Sequence, residues 1–267
     1  MRSCLSKSEL KVSAVLLSNY PVAGLSNIAM IAREAGVSEP TVSRLVAKLG
    51  FDSFASFRAT LTRELQERLM PPTKIESRSG ESSSMTTMAG SLTSEIMKSV
   101  LAIDRDDLDE AVKQLCNLDK TIFITGGRFS SVIAEYLSWS LQVLRRGIRY
   151  VGQAPGERHN ALLDVSDSDV IVVFDFRRYQ SDTVNFAHRA HQLGAKVIVF
   201  TDPYMSPAAS FGSVVFYPSI VGPSQFNSLT PAMAILECLV SMIADVLGED
   251  AQARIKAYVG NTETSLQ

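Results

Sequence analysis

The polar side chains of one short predicted helix, residues 39–49, have types and spacing that suit DNA binding. Apolar residues recur on one face of this helix, which leaves hydroxyl groups near its start and cations further along on the other face. Side chains of these types contact base edges and phosphates when such a helix enters the major groove. We therefore expect the following residues to contact DNA: Ser38, Thr41, Ser43, Arg44 and Lys48.

The histidines and cysteines are weaker candidates for chemistry. His188 and His191 lie three residues apart on a predicted helix, but no third metal ligand is obvious near them. Cys4, Cys116 and Cys238 are odd in number and widely separated, so they offer neither a disulfide framework nor metal-ligand spacing. We expect no metal, no cofactor and a reducing cytoplasmic setting. The chain has no run of eighteen apolar residues, and residues 1–8 are too short and polar for a signal peptide.

Residues 28–51 have the pattern of a helix-turn-helix. Gly36 breaks the first helix because it tolerates a positive φ, and Val37 anchors the turn. Ser38 is expected to cap the second helix through its side chain, and Pro40 fits the first turn of that helix. The apolar face of the first helix is predicted to contain Ile28, Ala29, Ile31 and Ala32. That of the second helix is predicted to contain Val42, Leu45, Val46 and Leu49.

Further helices and a positive charge surround this motif. Ser6 and Glu9 form a capping-box pattern that begins an earlier helix, and Asp52 or Ser53 is expected to cap a fourth. Residues 1–78 contain 11 Lys or Arg and 7 Asp or Glu, a net charge of +4. The rest of the chain contains 15 and 21, a net charge of −6. Phosphate binding confined to the N-terminal part fits this asymmetry.

Beyond residue 91 the pattern changes to short β-branched or aromatic runs separated by helical stretches. The predicted strands are 121–125, 148–151, 170–174, 196–201 and 213–217. The helices predicted between them are 130–146, 158–165 and 181–193, and a final long helix is predicted at 228–247. This alternation predicts a five-stranded parallel sheet covered by helices on both faces. The sequence thus predicts an all-α helix-turn-helix domain at 1–70, a Pro- and Ser-rich linker at 71–90, an α/β domain at 91–248 and a tail at 249–267.

The chain resembles the RpiR/MurR family of bacterial transcription regulators, which join a helix-turn-helix domain to a sugar isomerase (SIS) domain. The resemblance runs from about residue 6 to residue 247, and it is most specific in AGVSEPTVSRLVAKLGFDSFASFR (35–58) and IFITGGRFSSVIAEYL (122–137). It implies a flavodoxin-like strand order of 2-1-3-4-5, with a ligand outside the carboxyl ends of the strands.

The resemblance also implies two ligand-binding loops, and both depart from the family pattern. The first loop of the family reads G-x-G-x-S, and here Arg128 replaces the second glycine. The second reads S-x-S-G-x-T, and residues 175–180 here read DFRRYQ. The Asp at the first position would repel a phosphate, whereas Arg177 and Arg178 could bind an anion. The expected effector contacts are Gly126, Gly127, Arg128, Ser130, Ser131, Arg177, Arg178 and Ser181.

We therefore expect a regulator without catalytic residues that binds a palindromic double-stranded DNA operator as a homodimer or homotetramer. Its SIS domain would sense a small anionic metabolite, with a phosphosugar as one candidate. Two alternatives remain open. The chain could be a sugar-phosphate isomerase, in which Glu157 and His159 would supply acid–base groups, although a plain helix start explains both residues better. The SIS domain could also serve only for dimerisation.

Overall fold

A computed structural model of the chain describes residues 5–18, 20–69, 84–154, 156–224 and 226–264. These residues fall into two compact units, one within residues 1–73 and the other within residues 74–267. Most of the predicted linker and the last three residues of the predicted tail lie outside the described residues.

The first unit is helical and contains the predicted helix-turn-helix. Its helices are α1 (Lys7–Ser18), a 3-10 helix (Val22–Leu25), α2 (Ile28–Ala35), α3 (Glu39–Lys48) and α4 (Phe54–Leu69). The capping box forms as expected, because the Ser6 N–H donates to Glu9 Oε2 over 2.7 Å and the Glu9 N–H donates to Ser6 Oγ over 3.3 Å. Gly36 ends α2 in the left-handed region with a φ of 63°, a conformation that favours glycine.

One hydrophobic cluster holds the helices of this unit together. Its buried members are Val12, Leu16, Ile31, Ala32, Ala35, Val42, Leu45, Val46, Phe57 and Leu61. Two residues predicted on the apolar faces, Ala29 and Leu49, are exposed instead. Leu49 is 41% exposed although its backbone N–H still donates to the Leu45 carbonyl over 2.9 Å, because it is the C-terminal capping residue of α3 and follows the last turn that packs in the cluster.

The second unit contains a five-stranded parallel sheet in the predicted order β2-β1-β3-β4-β5. The strands are β1 (Ile122–Gly126), β2 (Ile148–Tyr150), β3 (Val170–Phe174), β4 (Lys196–Phe200) and β5 (Val214–Phe216). Ile122 in β1 pairs with Ile148 in β2 and with Val170 in β3. The carboxyl ends of β1 and β3 therefore lie side by side at one edge of the sheet, where the strand order reverses.

Helices cover both faces of this sheet, as predicted. They are α6 (Arg105–Cys116), α7 (Ser131–Leu144), α8 (Glu157–Asp164), α9 (Ser181–Gln192) and α10 (Thr230–Thr264). Alternate strand residues such as Ile124 and Val172 pack with α6, α7 and α10, whereas Phe123 and Ile171 pack with α8 and α9. The strands β1 and β3 are buried along their whole length, which explains their mostly apolar sequences, whereas β2 at the edge of the sheet is only partly buried.

The last helix corrects the prediction of a tail at 249–267. The helix α10 continues to Thr264, and its path bends at Gly248, whose φ of 52° and ψ of −118° are not helical. The stretch Thr230–Gly260 is long and apolar enough to cross a membrane by length and composition alone. Leu236, Leu239 and Ile243 in this stretch are fully buried in the hydrophobic cluster that contains Ile124 and Val172, although only 33% of the most apolar window of the stretch is buried.

The predicted linker also ends earlier than residue 90. The helix α5 (Met85–Leu101) begins at an N-cap formed by Ser84, whose Oγ accepts a hydrogen bond from the Thr87 N–H over 3.2 Å. Residues 85–90 are therefore helical, although their polar and small side chains suggested a linker. The hydroxyl of Ser219 donates to Glu95 over 2.6 Å and ties α5, within the second unit, to the segment after β5.

Candidate functional site

The exposed face of α3 presents Ser43 and Arg44 to solvent above the buried residues Val42 and Leu45. Arg44 is oriented locally, because its Nη2 donates to Thr41 Oγ1 over 3.2 Å and its Nε donates to the Pro40 carbonyl over 3.4 Å. A guanidinium held in this way at the surface can still donate to a phosphate or to a guanine edge. The position of these two side chains agrees with the prediction from the sequence.

Thr41 does not lie on that exposed face, and this prediction is wrong. Its side chain is only 6% exposed, because it packs beside Val42 and Leu45 at the start of α3. Its hydroxyl lies 3.1 Å from Ser38 Oγ. Ser38 occupies the predicted N-cap position but makes no side-chain bond to a backbone N–H, so the predicted capping bond is absent as well. Thr41 thus orients Ser38 and Arg44 instead of presenting its own hydroxyl.

Lys48 forms an ion pair with a residue from another helix. Its Nζ lies 2.8 Å from Glu9 Oε2 on α1, and the Lys48 side chain remains half exposed. Hydrogen bonds from Lys48 and from the Ser6 N–H lower the pKa of Glu9 from 4.5 to about 2. The sequence revealed Glu9 only as a capping residue, because its partner lies 39 positions away. Part of the Lys48 charge is therefore neutralised within the domain.

At the sheet edge, the loop after β1 is bonded to the end of β3. A methyl group at Gly126 would lie 2.7 Å from the backbone of Ser130, so the close turn requires glycine there. The Gly127 N–H donates to the Phe174 carbonyl over 2.9 Å, and Ser130 Oγ donates to the same carbonyl over 2.7 Å. Ser130 is 4% exposed. The structure therefore places its hydroxyl inside the loop rather than on the surface.

The backbone N–H groups that precede α7 have a different arrangement. The Arg128 N–H donates to Oε1 of Gln180, a side chain from the loop after β3. The N–H groups of Phe129 and Ser130 have no acceptor among the described residues. Ser131 is partly buried, and its hydroxyl donates to the Arg128 carbonyl over 3.3 Å. Free N–H groups at the start of a helix attract anions, as the sequence analysis expected for this loop.

Asp175, at the first position of the second loop, is a buried carboxyl whose pKa is raised. It accepts hydrogen bonds from the hydroxyl of Ser206 and from the Gln180 N–H, the latter over 3.1 Å. Burial raises its pKa from 3.8 to about 6, although both hydrogen bonds act in the opposite direction. The nearby carboxylate of Asp202 raises it further. This carboxyl replaces the family's first serine and is held inside the loop.

The predicted basic residues of the second loop do not act as a pair. The guanidinium of Arg177 lies over the ring of Tyr204, with 5.2 Å between its carbon and the ring centroid, and its backbone N–H donates to Asp202 over 2.5 Å. Arg178 is exposed and has a φ of 67°, so the chain turns sharply between these neighbours. Ser181 is exposed at the first position of α9.

Arg158 is a third cation at this edge, and the sequence analysis did not identify it. Its Nη2 donates to the Gly126 carbonyl over 2.8 Å, its Nε donates to Thr125 Oγ1 over 3.4 Å, and its Nη1 pairs with Asp182. The side chain is only 11% exposed. No local signal distinguished it from its neighbours, because its partners lie on β1 and α9. Arg158 thus brings a guanidinium group to the end of β1, next to the first loop, and Asp182 neutralises part of its charge.

The histidines considered for catalysis or metal binding lie in a surface cleft or against an aromatic ring. His159 is exposed and lines a cleft of about 260 Å³ between α8 and α9, together with Arg189 and Leu193 near the end of α9. His188 stacks on Phe211 with 4.5 Å between ring centroids. Among the described residues no group of three or more His, Cys, Asp or Glu is arranged to hold a metal ion.

Comparisons with known proteins agree with both units. The helix-turn-helix domain of the rpiR family matches residues 1–68, and the SIS domain matches residues 117–242. An uncharacterized HTH-type transcriptional regulator of Clostridium perfringens is 23% identical and aligns with 94% of this chain and 92% of its own length.

Two solved structures share the fold at low sequence identity. The sugar isomerase domain of an RpiR transcription factor from Sphaerobacter thermophilus covers 65% of this chain and 96% of its own, with a TM-score of 0.61 and 21% identity. The NanR protein of Vibrio vulnificus, solved in complex with ManNAc-6P, covers 99% and 96%, with a TM-score of 0.54 and 19% identity. With both domains present in this order, the chain belongs to the RpiR family of helix-turn-helix transcriptional regulators that carry a SIS domain.

Proposed function

We propose that this chain is a cytoplasmic regulator without enzymatic activity, which binds a palindromic operator as a homodimer or larger homo-oligomer. The observation that carries this proposal is the solvent-facing pair Ser43 and Arg44 on an α3 whose other face is fully buried. One small helical domain recognises few base pairs. Two copies reading half-sites about 34–36 Å apart would recognise enough. Of the predicted contacts, Ser43 and Arg44 are the strongest because both are exposed on α3 and no carboxylate neutralises Arg44 among the described ion pairs, whereas Glu9 neutralises part of the charge of Lys48.

The first experiment tests the DNA-binding face. DNA selected from a random library by the purified chain is titrated with the wild type, with Arg44→Ala and with Arg189→Ala, a matched loss of an exposed arginine in the other unit. If Arg44 contacts a base edge, its removal weakens specific binding by about 1–3 kcal/mol. Arg189→Ala is expected to bind like the wild type. Equal affinity of Arg44→Ala and wild type on every selected DNA would contradict the proposed face.

The SIS domain of this regulator is proposed to sense a small anionic metabolite at the sheet edge. Support comes from the free N–H groups of Phe129 and Ser130 before α7 and from the guanidinium of Arg158 next to the first loop. The departures at Asp175 and Gln180 affect which metabolites can bind, because this chain has a carboxyl and a carboxamide where the family has hydroxyl groups. A phosphosugar remains one candidate within this class.

A thermal-shift screen tests this second part. A ligand that binds only the folded state raises the melting temperature, by an amount equivalent to about 2.7 kcal/mol at a hundredfold excess over its Kd. We expect stabilisation by at least one phosphosugar or other acidic metabolite, and loss of that shift in Arg158→Ala. The same metabolites are then added to the DNA titration. A DNA affinity that none of them changes would favour a SIS domain that serves only for dimerisation.

The isomerase alternative has little support at the residues first considered for it. Glu157 and His159 are both exposed, and His159 lines the cleft near the end of α9. Turnover of an aldose or ketose phosphate by the purified protein, abolished in Glu157→Ala, would revive this alternative.

A further inference from the structure

The side chain of Gln180 lies where a bound anion would place one of its oxygens. Its Oε1 accepts the Arg128 N–H, the first of three consecutive N–H groups that precede α7. A methyl group added at Gly127 would lie only 2.9 Å from the same oxygen. The carboxamide is therefore in close contact with the first loop, and it occupies one acceptor position of the proposed effector site.

The backbone of Gln180 is held firmly, whereas its carboxamide is held weakly. The Gln180 N–H donates to the buried carboxylate of Asp175 over 3.1 Å, and Asp175 is fixed in turn by the hydroxyl of Ser206. The carboxamide makes only the bond to the Arg128 N–H among the described contacts, and the residue is half-buried. The side chain can therefore rotate away without disturbing the start of α9.

The charges near the loop favour its replacement by an anion. A neutral carbonyl oxygen accepts a hydrogen bond more weakly than a charged oxygen does. The positive end of the α7 dipole and the guanidinium of Arg158 add attraction for a negative group but little for a neutral one. The ion pair of Arg158 with Asp182 and the nearby carboxyl of Asp175 reduce this attraction. A neutral sugar hydroxyl would gain no such advantage over the carboxamide that is already present.

We infer that Gln180 is an internal competitor for the effector, and that it restricts the site to ligands carrying an oxyanion, a phosphate or a carboxylate. This inference rests on the proposed function of the sheet edge as the effector site. In the free protein the carboxamide satisfies the Arg128 N–H. An effector binds when one of its charged oxygens takes over that N–H and reaches the free N–H groups of Phe129 and Ser130.

The test measures anion binding by the full chain with and without this competitor. Inorganic phosphate, a hexose 6-phosphate, a sugar carboxylate and a neutral hexose are titrated by calorimetry at constant ionic strength. Gln180→Ala is expected to bind the charged probes roughly 2- to 10-fold more tightly than the wild type, which is the equilibrium effect of removing one neutral hydrogen bond. The hexose 6-phosphate and the sugar carboxylate identify which oxyanion the site prefers.

Two further variants guard against a structural explanation. Gln180→Ser is too short to reach the Arg128 N–H, and serine is a favourable residue at the N-cap position that Gln180 occupies in α9. It should bind the charged probes as tightly as Gln180→Ala. Gln192→Ala, at the other end of α9, is expected to bind like the wild type.

The outcomes separate this inference from the proposed function. Tighter binding in both position-180 variants, with no gain for the neutral hexose, supports the inference. Equal affinity of wild type and variants for the charged probes would overturn it and leave the effector site intact. If no charged probe binds to the wild type or to either variant at millimolar concentration, both the inference and the proposed anion site are wrong.

Discussion

The two units of the chain place their carboxylates in opposite environments. In the helical unit, Glu9 accepts hydrogen bonds from a lysine and a backbone N–H, and its pKa falls to about 2. In the α/β unit, Asp175 is buried with neutral donors around it, and its pKa rises to about 6. Ionised Glu9 is favoured by folding, whereas ionised Asp175 is penalised by it.

The comparison extends to the groups that would meet a ligand. On α3, Ser43 and Arg44 face solvent, and the ion pair of Lys48 with Glu9 stabilises the helix that presents them. At the sheet edge, Ser130 instead bonds to the last residue of β3, and Gln180 bonds to the loop after β1 in the same domain. The proposed DNA-binding face is thus exposed in the free chain, whereas an effector at the proposed sheet-edge site would have to replace bonds that the domain already makes.

The largest expected effect is loss of the core beneath α3. Leu45 is fully buried, so Leu45→Ala should destabilise the helical unit by about 2–5 kcal/mol and abolish DNA binding. The α/β unit has a separate hydrophobic core, so its unfolding transition should stay in place in a calorimetric scan.

The exposed Leu49 provides the matched control for this prediction. Leu49→Ala makes the same chemical change at the end of the same helix, where the side chain is 41% exposed. It should change stability by no more than about 0.5 kcal/mol. Comparable destabilisation by both variants would mean that α3 is packed differently.

The next effect concerns Asp175. With a pKa of about 6 in the folded chain and 3.8 as its ordinary value, this carboxyl lowers stability progressively as pH rises from about 4 to 6. Asp175→Asn keeps acceptors and donors for its neighbours but carries no charge. It should therefore stabilise the α/β unit by up to about 3 kcal/mol at pH 7 and remove that part of the pH dependence.

Chemical denaturation between pH 4 and 8 measures this effect. Asp245→Asn removes an exposed carboxylate from α10 and is expected to leave the profile unchanged. A wild-type stability that does not fall between pH 4 and 6, or an Asp175→Asn variant less stable than wild type at pH 7, would contradict the buried carboxyl described here.

The smallest effect is expected at Glu9, because its partner Lys48 is half exposed. The lowered pKa means that Glu9 contributes stability above pH 4.5, and that this contribution is lost as pH falls through about 2. Glu9→Gln should reduce the acid sensitivity of the helical unit, and salt should weaken the difference. Thermal unfolding at pH values from 2 to 5 measures it. Identical acid sensitivity in wild type and variant would show that the ion pair contributes nothing.

Much of the fold could be predicted because it depends on local patterns. The run at 170–174 is a strand with the predicted bounds, since five consecutive apolar residues are buried on both faces of the sheet. Gly36 ends α2 as expected, because the left-handed conformation there favours glycine. The bounds of the linker and tail were wrong, because α5 and α10 continue through exposed residues, 85–90 and 252–260, beyond the turns that pack in the domain, and local composition does not show where such an extension ends.

The candidate sites were predicted less completely. Position in the sequence placed the loops after β1 and β3 at one edge of the sheet, but it did not show which of their side chains are exposed there. Thr41 is buried although it directly follows the exposed Pro40 in α3. Ser130 follows a glycine turn, yet its hydroxyl bonds to the end of β3. No sequence pattern indicated that Arg158, between Glu157 and His159, is the residue whose side chain bonds to β1.

The sequence by itself determined the helix-turn-helix, the parallel sheet and the family, because capping residues, glycine turns and apolar periodicity act over a few positions. Only the tertiary structure decided that Lys48 pairs with Glu9, that Arg158 reaches Gly126 and that Gln180 contacts Arg128. These partners lie 39, 32 and 52 residues apart in the chain. Their contacts depend on how packed elements bring distant side chains together, and no local pattern encodes that arrangement.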